Sequence, residues 1–272
     1  MILLHVAVAA LYVSTAIALW PQLAFPRAAK PVASLPAATA LWLLAAALLL
    51  HGWVAWRDVA TPEGLDLSFA NAVSVVAGLV AAVTWMAGLL ATLPGIATVV
   101  LPVAAGASLL PALLTNPHRF AYGGEALAAA HVAVALISYA MFLVAALEAL
   151  VLIGVEKRLR RHLPDPGSAA LPPLLTLEHF LFRLVAAGFV LLTLTLASGM
   201  LFTEQLFGKP LMFTHKTVFS VLGWLTFGAL LFGRWRYGWR GRVALRWIIA
   251  GTVFVFLAYL GSKFVLEVLL GR

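Results

Sequence analysis

The amino-acid sequence predicts an all-α integral membrane protein of about eight transmembrane helices, with both termini on the outer side of the membrane. The 272 residues are 64% hydrophobic and only 10% charged, and the mean hydropathy is +1.04. The apolar residues also fall in runs of the length that crosses a bilayer. Ordinary soluble domains carry about a quarter charged residues. This chain cannot cover itself with a polar surface, which excludes a soluble enzyme, a nucleic-acid-binding domain and a disordered chain.

Eight stretches meet the requirement of about 20 mainly apolar residues for a membrane span. They are expected near residues 2–20, 36–56, 69–90, 94–113, 126–153, 180–203, 214–233 and 245–268. The first stretch follows no basic residue and precedes no small-residue cleavage site. We therefore expect a retained helix there rather than a signal peptide. We interpret the whole chain, 1–272, as a single polytopic membrane domain.

The basic residues of the connections predict the orientation, because Lys and Arg are enriched in cytoplasmic loops. They concentrate in three connections, after the first, fifth and seventh spans, whereas the alternate connections are richer in acids. These basic residues are Arg27 and Lys30, then Lys157, Arg158, Arg160 and Arg161, then Arg234, Arg236, Arg240, Arg242 and Arg246. The three connections are expected in the cytoplasm. The net charge of +8 has the same explanation and does not indicate nucleic-acid binding.

Two segments depart from the regular pattern. Pro94, Pro102 and Pro111 predict that the fourth helix is kinked or broken. Residues 163–173 form a Pro-rich connection between the fifth and sixth helices, but no internal repeat supports a division of the chain there.

Several chemistries are excluded by missing residues. The chain has no cysteine, so it forms no disulfide and no thiolate metal site. It contains no phosphate-binding glycine loop, no HExxH and no G-x-S-x-G motif, and Glu178 and His179 stand apart from any such motif. We expect no enzymatic activity.

Five of the seven histidines fall on the outer side, where a neutral imidazole can ligate a haem iron or another metal. For His5, His51 and His118 we favour the simpler interpretation, a polar residue at a helix end in the membrane interface. His131 lies about two turns inside the fifth span on a face of small residues, and ligand binding and helix packing are equally supported. His215 follows Thr214, a candidate N-cap, and is likewise either a ligand or an interfacial residue.

A few other polar or aromatic residues lie inside the spans. We expect Glu148 to pair with the basic connection that follows it rather than to relay protons. Lys263 and Glu267 are spaced to form an i,i+4 ion pair. Most of the nine tryptophans lie near span ends, as in an aromatic belt, whereas Trp224 lies in mid-span and faces either lipid or the core.

Three segments in the second half of the chain carry a family resemblance. They are HVAVALISYAMFLVAALEAL (131–150), LLTLTLASGMLF (191–202) and residues 215–265 with the Gly-Trp-Arg-Gly turn at 238–241. Together they resemble cytochrome c assembly proteins of the CcsA/CcmC type. The segment PPLLTLEHFLFRL (172–184) is similar to the YpjD branch of this superfamily, with HemX-like proteins as relatives. The first four helices match the family in their apolar character and in no specific motif.

The resemblance implies a bacterial inner-membrane protein that carries haem at its outer face, with His131 at the position of a haem-ligating histidine. Two features differ from the haem-handling members. The tryptophan-rich WWD segment is replaced by TEQLFGKPLMFT (203–214), and the chain ends LEVLLGR, without a second outer histidine. His215, on the same side of the membrane, is our candidate for the second ligand.

These expectations lead to one principal function and two alternatives. The principal one is a cytochrome c assembly-type protein that binds haem b through His131 and His215, for haem delivery or haem-linked regulation. Its partners are then the lipid bilayer, haem and a cytochrome or haem-pathway protein. The alternatives are a haem-free membrane scaffold or regulator of the same fold, and a small-solute or ion transporter.

Overall fold

The computed structural model describes residues 2–24, 37–62, 64–90, 96–114, 119–120, 126–160, 174–201 and 214–270. Within these residues, eight helices are long and apolar enough to cross a membrane, which confirms the predicted fold class. They are α1 (Ile2–Ala24), α2 (Ala37–Val59), α3 (Phe69–Leu90), α4 (Ile96–Leu113), α5 (Ala126–Arg160), α6 (Leu174–Leu201), α7 (His215–Tyr237) and α8 (Gly241–Phe256). The last span continues beyond α8 through two π-helical turns, Leu257–Gly261 and Phe264–Leu269.

The helix bounds differ from the apolar runs mainly where a helix extends into polar sequence. α5 has 35 residues and continues past the expected end at 153, and α6 begins at Leu174 rather than near 180. Hydropathy marks the part of a helix that lies in hydrocarbon, whereas backbone hydrogen bonding continues beyond it.

Of the two expectations for the fourth helix, a kink or a break, the break is wrong for residues 96–113. α4 is continuous through Pro102 and Pro111. Each proline removes one backbone donor, and neighbouring helices and hydroxyl side chains make this tolerable in a membrane span. Pro94 lies outside the described residues.

The helices pack as two four-helix groups. In the first, α1 and α3 both contact α2 and α4, and in the second, α5 and α7 both contact α6 and α8. The groups are joined where α3 packs on α5 and on the π-helical end of the last span. We call the end of the bundle that carries His5, His51, His131 and His215 the histidine end, and the opposite end the arginine end.

A small antiparallel sheet, which the sequence did not predict, lies at the histidine end. Its strands are β1 (Ala60–Thr61), β2 (Gly64–Asp66) and β3 (Arg119–Phe120), in the order β1-β2-β3. The Asn71 amide at the start of α3 donates to the carbonyl oxygens of Asp58 and Asp66, at 3.3 and 3.0 Å. These bonds attach the sheet to α2 and α3.

Two stacked phenyl rings form the centre of the second group. Phe142 of α5 and Phe227 of α7 lie with ring centroids 3.8 Å apart and planes 6° from parallel. A Cβ at Gly188 would lie 3.0 Å from Phe142, and a Cβ at Gly251 would lie 2.8 Å from Phe227. The two glycines thus allow α6 and α8 to approach the rings. The Thr252 hydroxyl of α8 donates to the Phe142 carbonyl of α5 at 3.2 Å, which links the last helix of the group to the first.

The predictions for three polar or aromatic sites inside the spans have different outcomes. The predicted Lys263–Glu267 ion pair is confirmed at 2.6 Å, with Lys263 only 3% exposed. Trp224 faces the core, since its indole N–H donates to the Thr193 hydroxyl at 2.9 Å. Glu148 is 2% exposed, and neither carboxyl oxygen has a hydrogen-bond partner in the described part of the chain. The expected pairing of Glu148 with the basic connection is therefore not found there.

Candidate functional site

His131 is half-buried near the start of α5 and is oriented by α6. Its Nδ1 lies 2.7 Å from the Ser198 hydroxyl, which itself donates to the Thr195 carbonyl at 3.1 Å. A hydroxyl has one proton, so Ser198 accepts from His131 and the imidazole proton is assigned to Nδ1. The lone pair then lies on Nε2. This tautomer, held by a second residue, is the one in which a histidine ligates a metal through Nε2.

The face of α5 that carries His131 packs closely on α6. A Cβ at Gly199 would lie 3.4 Å from the His131 ring, so the glycine brings the α6 backbone to the imidazole. Two turns further along the same face, the Ser138 hydroxyl donates to the Gly188 carbonyl at 2.9 Å. Helix packing thus explains the deeper part of the small-residue face, whereas His131 lies at its half-buried end.

His215 is the first residue of α7 and is exposed. Thr214 has the extended backbone of an N-cap residue, but its side chain caps no backbone N–H. In the described part of the chain, no hydrogen bond or ion pair engages the His215 side chain, and none joins it to His131. The segment that links α6 to α7 lies outside the described residues. The structure places both histidines at the histidine end without bringing them into contact.

His5 forms a buried pair with an acid. Its Nδ1 lies 2.8 Å from the Ser108 carbonyl of α4, and its Nε2 lies 3.4 Å from the Asp58 carboxylate at the end of α2. A carbonyl only accepts, so Nδ1 carries a proton. His5 is 4% exposed, which makes the expectation of an interfacial histidine wrong.

His51 is enclosed in the same way. Its Nδ1 lies 3.0 Å from the Tyr12 hydroxyl, and its Nε2 lies 3.0 Å from the Ser74 hydroxyl. A Cβ at Gly78 would lie 3.0 Å from the ring, so α3 packs directly on it. His51 is 2% exposed, and here too the interfacial expectation is wrong. Because both ring nitrogens are hydrogen-bonded, His51 can ligate a metal only after losing a protein partner. His118 lies outside the described residues.

Sequence reasoning missed the hydrogen-bonded groups around His5 and His51, because the members of each group come from different helices. The available signal was the presence of Tyr12 and Ser74 inside otherwise apolar spans. The described residues contain no group of three or more His, Asp or Glu side chains that is placed to hold a metal ion.

An apolar groove of about 390 Å³ lies between α2, α3 and α5. Its α5 wall includes Ala129, Ala133 and Leu136, which lie on the side of the helix opposite His131. His51 contributes to its inner wall. The groove and the His131 site are therefore separate features.

The comparisons with known proteins agree with the resemblance. The profile of the family described as Cytochrome C assembly protein matches residues 39–270, from α2 to the end of the last span. The inner membrane protein YpjD of Escherichia coli (strain K12) is 35% identical over 139 residues, which is 51% of this chain and 52% of that protein. A 28.8 kDa protein of Azospirillum brasilense, from the nifR3-like 5' region, is 37% identical over 141 residues, 52% of each chain.

A more distant relative is the cytochrome c biogenesis protein CcsA of Gloeobacter violaceus, which is 30% identical over 92 residues, 34% of this chain and 27% of that protein. The chain spans about half the length of the first curated relatives it matches. No solved structure matches. Because the family profile covers most of the chain, this multi-pass inner-membrane protein belongs to the cytochrome c assembly protein family.

Proposed function

We propose that the protein binds haem b at the histidine end, with His131 as the principal axial ligand and His215 as the second. In this role it serves haem delivery or haem-linked regulation during cytochrome c assembly and catalyses no bond chemistry. A cytochrome or another haem-pathway protein is the partner that such a role requires. The observation that supports the proposal most directly is the Ser198 hydroxyl, which assigns the lone pair of His131 to Nε2.

The residues present fit a haem group in their donor chemistry. Two imidazoles are a common axial pair for haem iron. α6 packs on both α5, which carries His131, and α7, which carries His215. Gly199 of α6 presents no side chain to the His131 ring. Bound haem supplies a redox-active iron, and the chain supplies its ligands and orientation.

The proposal includes an orientation. The histidine end faces the outer side and the arginine end faces the cytoplasm, as the positive-inside rule favours. Both termini then lie outside, and haem is bound on the side where cytochromes c are assembled in this type of pathway.

Optical spectroscopy of the purified protein tests the proposal. We expect a Soret band that shifts on reduction with dithionite, that is lost in His131→Ala and that is altered in His215→Ala. His179→Ala is the matched control, because His179 is exposed on α6 at the arginine end. An unchanged spectrum in His131→Ala contradicts the ligand assignment, and the absence of a Soret band after haem is added contradicts haem binding.

A haem-free scaffold or regulator of the same fold is the second candidate. It is favoured by the 203–214 connection, which lacks the tryptophans of the haem-handling members. A wild-type protein that folds but binds no haem supports it. The transporter alternative rests on a broken fourth helix and on Glu148 inside the membrane. α4 is not broken over residues 96–113, so the buried Glu148 is the support that remains. A liposome flux assay that detects no uptake of candidate solutes counts further against it.

A further inference from the structure

The connection between α7 and α8 forms a strongly cationic hairpin at the arginine end. This basic hairpin, residues 232–247, has the sequence FGRWRYGWRGRVALRW, with five arginines and no acid. Gly238 and Gly241 have φ angles of 67° and 55°, in the left-handed region that glycine adopts at low cost. The two glycines allow the chain to reverse within three residues between α7 and α8.

Carboxylates of neighbouring helices fix the basic hairpin in place. Arg234 and Arg240 lie 3.6 and 3.4 Å from Glu178 of α6. Arg242 lies 3.1 Å from Glu156 of α5. The hairpin is therefore held over the ends of two other helices rather than free in solution.

The two carboxylates do not neutralise the basic hairpin. In the described part of the chain, five arginines face two acids, so three positive charges remain in excess there. Arg236 and Arg246 are both exposed, and neither has an acidic partner in the part of the chain that the structure describes. A guanidinium group presents paired N–H donors that match the oxygens of a phosphate. The unneutralised positions therefore suit a phosphate monoanion or diester.

Amphipathic rings lie beside these arginines. Trp235 is 80% exposed, and Tyr237 is exposed as well. Phe232 lies between them, with ring centroids 6.0 Å from Trp235 and 6.3 Å from Tyr237. Exposed Trp and Tyr side chains at the end of a membrane span lie at the level of the lipid headgroups. The cations of the hairpin are thus at the depth where lipid phosphates lie.

We propose that the basic hairpin binds the headgroups of anionic phospholipids, with Arg236 and Arg246 contacting their phosphates. An acidic protein segment would also complement the charge. The bilayer is favoured because the apolar rings of Trp235 and Phe232 flank the arginines and are exposed at the end of α7, where lipid surrounds the span. This proposal is independent of haem binding.

Electron spin resonance with spin-labelled lipids tests the proposal on the full chain in phosphatidylcholine vesicles. We expect the protein to prefer spin-labelled phosphatidylglycerol to spin-labelled phosphatidylcholine. Each of Arg236→Gln and Arg246→Gln should reduce that preference about fivefold, since a basic residue near an anionic surface contributes about 1 kcal/mol. Arg183→Gln, which removes an exposed charge from α6, is the matched control and should retain the preference.

Helix content, measured by circular dichroism, confirms that each variant is folded before it is scored. The proposal is overturned if the wild type shows no preference for phosphatidylglycerol, or if Arg183→Gln loses as much preference as Arg236→Gln. Millimolar inorganic phosphate should not compete, because the flanking rings require a lipid. Full competition by phosphate also overturns the proposal and indicates a site for a soluble anion.

Discussion

The Glu178 carboxylate accepts the backbone N–H of Gly241, the first residue of α8, at 3.2 Å. It therefore stabilises the start of α8 while it also pairs with arginines of the basic hairpin. A carboxylate at a helix N-terminus is stabilising because it satisfies an unpaired N–H and complements the helix dipole. Glu178 thus connects α6 to the last span.

Glu178→Ala should lower the free energy of unfolding by about 1–3 kcal/mol, since hydrogen bonds to a charged group contribute on this scale. Glu156→Ala provides the comparison, because the ion pair of Glu156 with Arg242 is partly exposed, and such a pair contributes about 0–1 kcal/mol. Thermal unfolding in detergent measures both. Equal losses in the two variants would contradict the role given to the Gly241 N–H.

Ser198→Ala should weaken haem binding about 10–100-fold, the usual effect of removing a residue that orients a histidine ligand. The variant keeps His131 but removes the acceptor of its Nδ1 proton. Haem titration followed at the Soret band gives the affinity. Thr226→Ala, which removes an exposed hydroxyl bonded only within α7, should leave the affinity unchanged. A Ser198→Ala protein with wild-type affinity would refute the assigned tautomer.

Gly251→Ala should destabilise the second helix group by about 1–3 kcal/mol, the usual cost of overpacking. The added Cβ would lie 2.8 Å from the Phe227 ring, and Phe142 stacks on that ring and restricts its movement. Gly154→Ala is the matched control on α5, since nothing lies within 4 Å of the new Cβ. Thermal unfolding should show a loss for Gly251→Ala alone, and a loss for both variants would indicate a general effect of helix glycines.

Lys263→Met should cost about 3–5 kcal/mol, because it leaves the Glu267 carboxylate buried without its cation. The double variant Lys263→Met with Glu267→Leu should recover part of this loss. Recovery should be incomplete, since Glu267 also accepts the N–H of Phe69 at the start of α3. A double-mutant cycle in detergent measures the coupling. Additive losses would show that the ion pair has no coupling energy.

The proposed orientation can be tested with single cysteines, because the natural chain has none. In intact cells, a membrane-impermeant maleimide should label Glu63→Cys and should label Ser168→Cys only after the inner membrane is permeabilised. The first residue lies between α2 and α3 and the second in the Pro-rich connection. The reverse pattern would place both termini in the cytoplasm and the histidine end inside.

The sequence predicted the features that depend on local pattern. The apolar run 69–90 coincides with α3, and the i,i+4 spacing of Lys263 and Glu267 forms the expected ion pair. Periodicity also placed His131 and Ser138 on one face of α5. These features depend on neighbours within a helix, which spacing determines.

Contacts between helices could not be predicted in the same way. No pattern in the sequence marks Glu178 as part of an ion pair, because its partner Arg240 is 62 residues away. To predict that His5 and His51 are enclosed, one must know that α1 packs on both α2 and α4. Hydropathy shows which residues enter the membrane, but an apolar span gives little sign of which face meets which helix.

The bond from Thr252 to the Phe142 carbonyl joins residues 110 positions apart and closes the second helix group. During biosynthesis, α5, α6 and α7 are therefore translated before the residue that completes their packing. A nascent chain that stops before α8 leaves the phenyl pair open on one side and Glu178 without the Gly241 N–H. The last thirty or so residues are consequently needed to complete assembly, and premature termination there should yield a chain that membrane quality-control proteases degrade.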